Sequence, residues 1–150
     1  MLAETRRDCR APLVQGDAFV LPFANGSFDA VVALRLAFHF AALDPLLREA
    51  VRVLTQPGTV IFDTYLWSPR AWLSLDREHW GGGVFAHSPA EIERTATQLG
   101  LRIARREACF LFSPYIYRRL PLAIVRLLAN LETLTPRRLR ARVFWAMERG

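Results

Sequence analysis

Asp17, Asp63 and His39 are the side chains whose types and placement could do chemistry in this sequence. Asp17 follows the apolar run Leu13-Val14-Gln15 and a glycine, Gly16; Asp63 follows Thr59-Val60-Ile61-Phe62. A carboxylate just past the carboxyl end of a buried strand lies where open α/β sheets bind their ligands, and there it can accept a hydrogen bond from a ligand donor. His39, between Phe38 and Phe40, could act as a base near neutral pH. Each residue also has a plain structural reading. Asp17 can cap the amides of its own turn, Asp63 can cap the N–H groups of residues 64–66, and a lone histidine between two phenylalanines is commonly a packed residue.

Other chemistries fail on context. Gly81-Gly82-Gly83 follows Trp80 rather than a strand and precedes Val84-Phe85 rather than a helix, so it is not a phosphate-cradling loop. There is no G-x-S-x-G elbow. His79 and His87 do not have the spacing of helical metal ligands, and no metal site is expected. Cys9 and Cys109 are too few and too far apart for a disulfide framework, which suits reduced thiols in a cytoplasmic protein.

The elements that must position these residues can be read from periodicity. Leu13-Val14-Gln15 and Ala30-Val31-Val32-Ala33-Leu34 are nearly continuous apolar runs, as in parallel strands covered on both faces. Asn25-Gly26-Ser27 between them is turn chemistry. Asp44-Pro45 predicts a helix start with Asp44 as cap, and Leu46, Leu47, Ala50, Val51 and Leu54 share one helical face. Gln56-Pro57-Gly58 ends that helix, and residues 59–62 form a third buried strand. Ser88-Pro89-Ala90-Glu91 predicts another capped helix, stopping at Gly100. A strand over 101–112, a mostly helical stretch over 115–135 and a last strand over 141–148 complete the chain. Residues 1–10 read as the tail of a helix closed by Pro12.

At 150 residues and 52% apolar, the chain is one globular domain's worth, without internal repeat or linker. The formal net charge is +6, and all 20 basic residues are Arg. They are scattered in pairs such as Arg105-Arg106 and Arg137-Arg138, without a cluster interleaved with stacking aromatics, which argues against nucleic-acid binding. The amino terminus has no apolar signal region. The longest apolar helix candidate, residues 121–134, is interrupted by Arg126, Asn130 and Glu132 and is not expected to span a bilayer.

The words Gly16-Asp17-Ala18, Leu21-Pro22-Phe23 and Phe28-Asp29 resemble the "GDA…LPF…FD-V" neighbourhood of class I S-adenosylmethionine-dependent methyltransferases of the small-molecule type. Arg48-Glu49-Ala50-Val51-Arg52-Val53-Leu54-Thr55-Gln56-Pro57-Gly58 is similar to that family's "REhxRVLkPGG", with Thr59 where a second glycine is usual. The resemblance implies an α/β, Rossmann-like sheet, mostly parallel and closed by an antiparallel, hairpin-like pair, in the family order 3-2-1-4-5-7-6. It implies S-adenosylmethionine as cofactor and a small-molecule substrate. By the same resemblance, Gly16, Asp17 and Ala18 would bind the cofactor: Asp17 would accept a hydrogen bond from the adenine amino group, and the Ala18 amide would face the ring. Ala33, Leu34 and Arg35 would line the methionine end, with His39 where the family often writes "HH". Asp63, Tyr65 and Trp67 would face the acceptor. No catalytic residue is nominated, because methyl transfer is a direct displacement in which a protein mainly aligns and desolvates.

The family's cofactor cradle, D/E-x-G-x-G-x-G followed by a strand ending in a ribose-binding acid, precedes these words. Here the first glycine is Gly16. The expectation is therefore an amino-terminally truncated single domain over residues 1–150, with Met1 an internal methionine of a longer protein, poor stability alone, and weak cofactor binding. The aromatic segment over 65–80 and the apolar one over 115–134 hint at an apolar acceptor such as a lipid, quinone or polyketide. The competing reading is a non-enzymatic remnant, or an interaction module using the Arg-rich carboxyl-terminal helices. Oligomeric state does not follow from the sequence.

Overall fold

The computed structural model describes residues 11–67, 83–110, 119–134, 136 and 139–150. The expected helix tail over 1–10 lies outside the described residues, as do Trp72, Trp80 and the ends of the segments read over 101–112 and 115–135.

Four strands form one mixed sheet: β1 (Phe28–Ala33), β2 (Leu54–Tyr65), β3 (Leu101–Cys109) and β4 (Arg142–Arg149), in the order β1-β2-β4-β3. β1 and β2 run parallel, while β4 is antiparallel to both β2 and β3. The expected antiparallel pairing of the last two strands is present, and the order is that of family strands 4-5-7-6. The crossover from β1 to β2 is α1 (Asp44–Val53), because parallel neighbours need a long connection. α2 (Pro89–Gln98) precedes β3, and α3 (Leu122–Leu134) precedes β4.

One expected strand is absent. Residues 12–15 have no strand structure, and they are exposed except for half-buried Leu13. Apolar composition alone does not make a strand: no neighbouring backbone among the described residues offers a ladder, so β1 is the edge. Val32, 57% exposed, and Phe28 stand on this edge, an apolar template for pairing with other chains.

Local signals mostly hold. Ser88 Oγ accepts the Glu91 N–H at 3.2 Å, with Pro89 in the first turn, as a cap should. Asp44 does not cap α1. Leu43 occupies that position without a side-chain bond, and Asp44 lies in the first turn, where its carboxylate takes the Arg48 guanidinium one turn on at 2.9 Å. β2 begins at Leu54, earlier than expected, but its ladder skips: Phe28 pairs with Leu54, and Ala30 next pairs with Thr59. The Gln56-Pro57-Gly58 turn is thus a bulge inside the strand. Gly58 is needed there, since a Cβ would sit 2.6 Å from Leu54 Cγ and 2.7 Å from the Thr55 carbonyl oxygen.

Strand alternation divides the side chains between two faces. Val60, Phe62, Val143, Trp145 and Met147 share one face and are fully buried. They join Leu46, Leu47 and Ala50 of α1 and Ile92 and Ala96 of α2 in a single core. The Trp145 indole N–H donates to Thr64 Oγ1 at 2.9 Å, so this deeply buried aromatic keeps its polar atom satisfied.

Candidate functional site

The carboxyl ends of β1 and β2 lie at the same edge of the sheet, because the strands are parallel. Three segments meet there.

The first is the turn at Gly16–Val20, where the segment begins that runs to Ser27 at the opposite edge. Asp17 is exposed; its Oδ1 accepts the Phe19 N–H at 2.9 Å, and its carbonyl accepts the Val20 N–H at 3.1 Å. The turn is tight at Gly16, where a Cβ would lie 2.9 Å from Pro22 Cδ. Ala18 and Phe19 are half-buried against the core.

This loop is fastened by two residues of α1. Glu49 Oε1 accepts the Leu21 N–H at 2.6 Å. The Arg52 guanidinium donates to the carbonyls of Leu21 and Phe23, at 3.0 and 2.8 Å, and to Asn25 Oδ1 at 2.7 Å. It also pairs with Glu49 at 2.7 Å. The Arg52 hydrogen bond holds the Glu49 carboxyl down at about 2, against the opposing effect of burial and with help from the Leu21 amide. The same pairing raises the pKa of Arg52.

The second segment is the turn after β1. Ala33 is half-buried, whereas Leu34 and Arg35 are exposed. Arg35 has φ +59°, in the left-handed region that non-glycine residues rarely adopt. Its N–H donates to Asp63 Oδ1 at 2.5 Å. A short 3-10 turn, Ala37–His39, follows. His39 is exposed, with its ring 4.6 Å from that of buried Phe38. Phe40 meets Phe19 edge-on at 4.7 Å, which brings the Asp17 loop against this turn.

The third segment is the end of β2. Asp63 is fully buried, and both of its oxygens are engaged: Oδ1 by Arg35, and Oδ2 by Arg142 of β4 at 2.6 Å. Tyr65 is half-buried, its ring 4.7 Å from Phe38. Trp67 donates its indole N–H to the Leu139 carbonyl at 3.0 Å. The Tyr65 carbonyl accepts the N–H of His87, a buried histidine whose Nε2 has no hydrogen-bond partner among the described residues.

The contacts therefore tie Asp17 to Phe19 and Phe19 to Phe40, Phe38 of the same turn to Tyr65, and Arg35 to Asp63. Reading the sequence missed the Glu49–Arg52 fastening and the Arg142 partner of Asp63. A signal existed for the second: Arg142 opens an otherwise apolar run, where a charge needs a buried counter-ion. A separate groove among Asn25, Arg48, Arg52, Thr55 and Arg149 lies at the amino ends of β1 and β2, the opposite edge. Among the described residues no group of three or more His, Cys, Asp or Glu could hold a metal ion, and no helix is long and apolar enough to cross a membrane.

Residues 1–62 match the family described as the methyltransferase domain. A sterol 24-C-methyltransferase of Gibberella zeae is 43% identical over 54 residues, which is 36% of this chain and 14% of that protein. The structure of a geranyl diphosphate C-methyltransferase from Streptomyces coelicolor A3(2) superimposes with a TM-score of 0.66 at 21% identity, covering 99% of this chain and 58% of that one. The [4+2]-cyclase SpnF gives a TM-score of 0.62 at 16% identity, over 99% of this chain and 60% of that one. The structural likenesses concern the fold. This chain spans about three-fifths of these structural neighbours and a smaller part of the sterol enzyme.

Proposed function

This chain carries the S-adenosylmethionine-dependent methyltransferase fold, and from that premise we propose that it forms the adenine and acceptor side of a site transferring a methyl group to a small, apolar acceptor. The observation that supports this most is the convergence of the Asp17 loop, the Arg35–His39 turn and the end of β2 at one edge of the sheet. S-adenosylmethionine supplies an electrophilic methyl on sulfur; the acceptor's electron pair forms the new bond while the old one leaves its electrons on sulfur, and the acceptor loses a proton.

The residues present fit one end of that cofactor. Asp17 is exposed, and one of its carboxylate oxygens accepts the Phe19 amide, leaving the other to accept from the adenine amine. Gly16 and Ala18 hold the turn beneath the ring, and Ala33, Leu34, Arg35 and His39 flank the methionine end. The other end is not provided within residues 1–150, which contain no glycine-rich cradle of the D/E-x-G-x-G-x-G kind. Amides at a helix N-terminus are the usual holders of such an anionic end. The chain's own part is to bind, orient and exclude water.

For the acceptor, Tyr65 and Trp67 offer aromatic surface beside the turn, while Asp63 acts on the site through Arg35. The sterol and geranyl diphosphate named for the two relatives make an isoprenoid the first acceptor class to try. The experiment is transfer of tritium from methyl-labelled S-adenosylmethionine, at saturating concentration, to sterols and prenyl compounds. Label in the lipid extract supports the proposal; no label in any isoprenoid, with cofactor demonstrably bound, sinks the acceptor class.

A further inference from the structure

The Glu49–Arg52 pair of α1 stands away from the ligand edge, and Arg52 lines the groove at the opposite one. Yet its side-chain bonds beyond the helix all go to the segment that begins with the Asp17 turn. Every N–H group of the Arg52 guanidinium is engaged: Nε and Nη2 bond the Glu49 carboxylate, Nη2 also the Leu21 carbonyl, and Nη1 the Phe23 carbonyl and Asn25 Oδ1. Glu49 Oε1 in turn accepts the Leu21 N–H, so one ion pair holds both polar groups of the Leu21 backbone. Just beyond, the carbonyls of Arg52 and Val53 accept the N–H groups of Gly26 and Ser27 at 3.0 and 2.7 Å. The hold on residues 21–27 is thus continuous with the last turn of α1.

Asp17 has no comparable anchor of its own. Residues 12–15 before it form no strand, and its turn is closed by internal bonds, from the Phe19 and Val20 N–H groups. Beyond the segment, the turn is steadied by the edge-on contact of Phe19 with Phe40. It continues directly into Leu21, one residue past the bond that closes it. Where Leu21 is held therefore fixes the direction in which the Asp17 carboxylate faces. Resting on the reading of Asp17 as the adenine acceptor, we propose that Glu49 and Arg52 are positioning residues for the adenine side of the site. They set the Asp17 turn from α1 and touch no ligand themselves.

The residue types suit that role. A guanidinium presents its N–H groups in one plane and in fixed directions, so it can hold two carbonyls, an amide oxygen and a carboxylate in a single geometry; an ammonium on a flexible stem cannot. A polar network in which every member is satisfied is rigid. Glu49, buried, supplies the counter-charge that lets the half-buried guanidinium turn towards the chain. Plain stabilisation of the fold is the competing role. It differs in one respect: its effect on ligand affinity would not depend on whether position 17 carries a carboxylate.

The test is a double-mutant cycle on the affinity of the full chain for S-adenosylhomocysteine, measured by NMR titration and expressed per folded molecule. Arg52→Lys keeps the charge opposite Glu49 and loses the planar set of donors. It should weaken binding about fivefold or more when Asp17 is present, and less than about twofold in the Asp17→Ala background, where nothing is left to position. Should Arg52→Lys not fold, Glu49→Gln keeps an oxygen for the Leu21 N–H and should give the same pattern at about threefold or more. Equal losses in both backgrounds would make the pair a stabiliser only and overturn the proposal. A loss from Asp17→Ala with none from Arg52→Lys or Glu49→Gln would overturn it while leaving the adenine reading intact; no loss from any of them would overturn both.

Discussion

Asp63 and Arg142 face one another diagonally across the β2–β4 ladder: Asp63 pairs in register with Phe144, and Arg142 stands two residues earlier on the same face. Their side chains meet at 2.6 Å, with Asp63 fully buried and the Arg142 side chain 8% exposed. The other oxygen of Asp63 holds the Arg35 amide, so one buried ion pair fixes the turn that borders the proposed cofactor site.

Breaking this pair should be costly, while replacing both members should not. Asp63→Asn leaves a buried guanidinium without its counter-ion, and Arg142→Met leaves a buried carboxylate; each should destabilise by about 3–5 kcal/mol in urea denaturation. The double variant should recover most of that loss. Single losses below about 1 kcal/mol would mean that solvent reaches the pair.

Arg35 holds an uncommon backbone geometry for a residue with a side chain, which suggests a contrast between two substitutions. Arg35→Gly keeps the N–H that donates to Asp63 and removes the left-handed strain, against added freedom in the unfolded chain; the two effects, each about 1 kcal/mol, should nearly cancel. Arg35→Val puts a β-branched residue at positive φ and should destabilise by about 1–3 kcal/mol. Equal thermal stability for the two variants would show that the turn relaxes out of the left-handed region.

Glu49 gives stability a defined acid dependence. Its folded pKa of about 2 lies below the unfolded value of 4.5, so its contribution is complete above the unfolded value and is lost as the pH falls towards 2. Melting temperature measured from pH 6 downward should therefore drop through this window. Glu49→Gln should flatten the drop, and an acid limb of unchanged slope would show that Glu49 does not set it.

Much of the fold was legible because its signals are local. The Ser88 cap, the apolar face of α1 and the runs of β1 and β2 each declare themselves within a few residues. Residues 12–15 show where this fails: their composition suits a buried strand, yet a strand exists only where another backbone completes its ladder. The same limit applies to the site. Asp63 was legible as a carboxylate at a strand end, but its role depends on Arg142, 79 positions away. Nothing near position 63 announces that partner. The Glu49–Arg52 fastening is hidden differently, because both residues belong to a motif that reads as ordinary helix surface.

Asp17 separates a binding role from a turn role. Asp17→Ala should lower S-adenosylmethionine affinity about ten- to a hundredfold, the range expected for one charge-assisted hydrogen bond. The melting temperature should change little, since the residue is exposed and caps only its own turn. A sharp drop in melting temperature with unchanged affinity per folded molecule would make it a turn residue only.

The location of the site can be tested on this chain as it stands, by titrating the nitrogen-15-labelled protein with S-adenosylhomocysteine and following backbone amides. Affinity should be weaker than micromolar, so the binding free energy should be less favourable than about −8 kcal/mol. Shifts should be confined to residues 16–20, 33–35 and 39, at the carboxyl ends of β1 and β2. Shifts that leave these amides untouched and gather instead around Asn25, Arg48 and Arg149, at the opposite edge of the sheet, would contradict the assignment of the site.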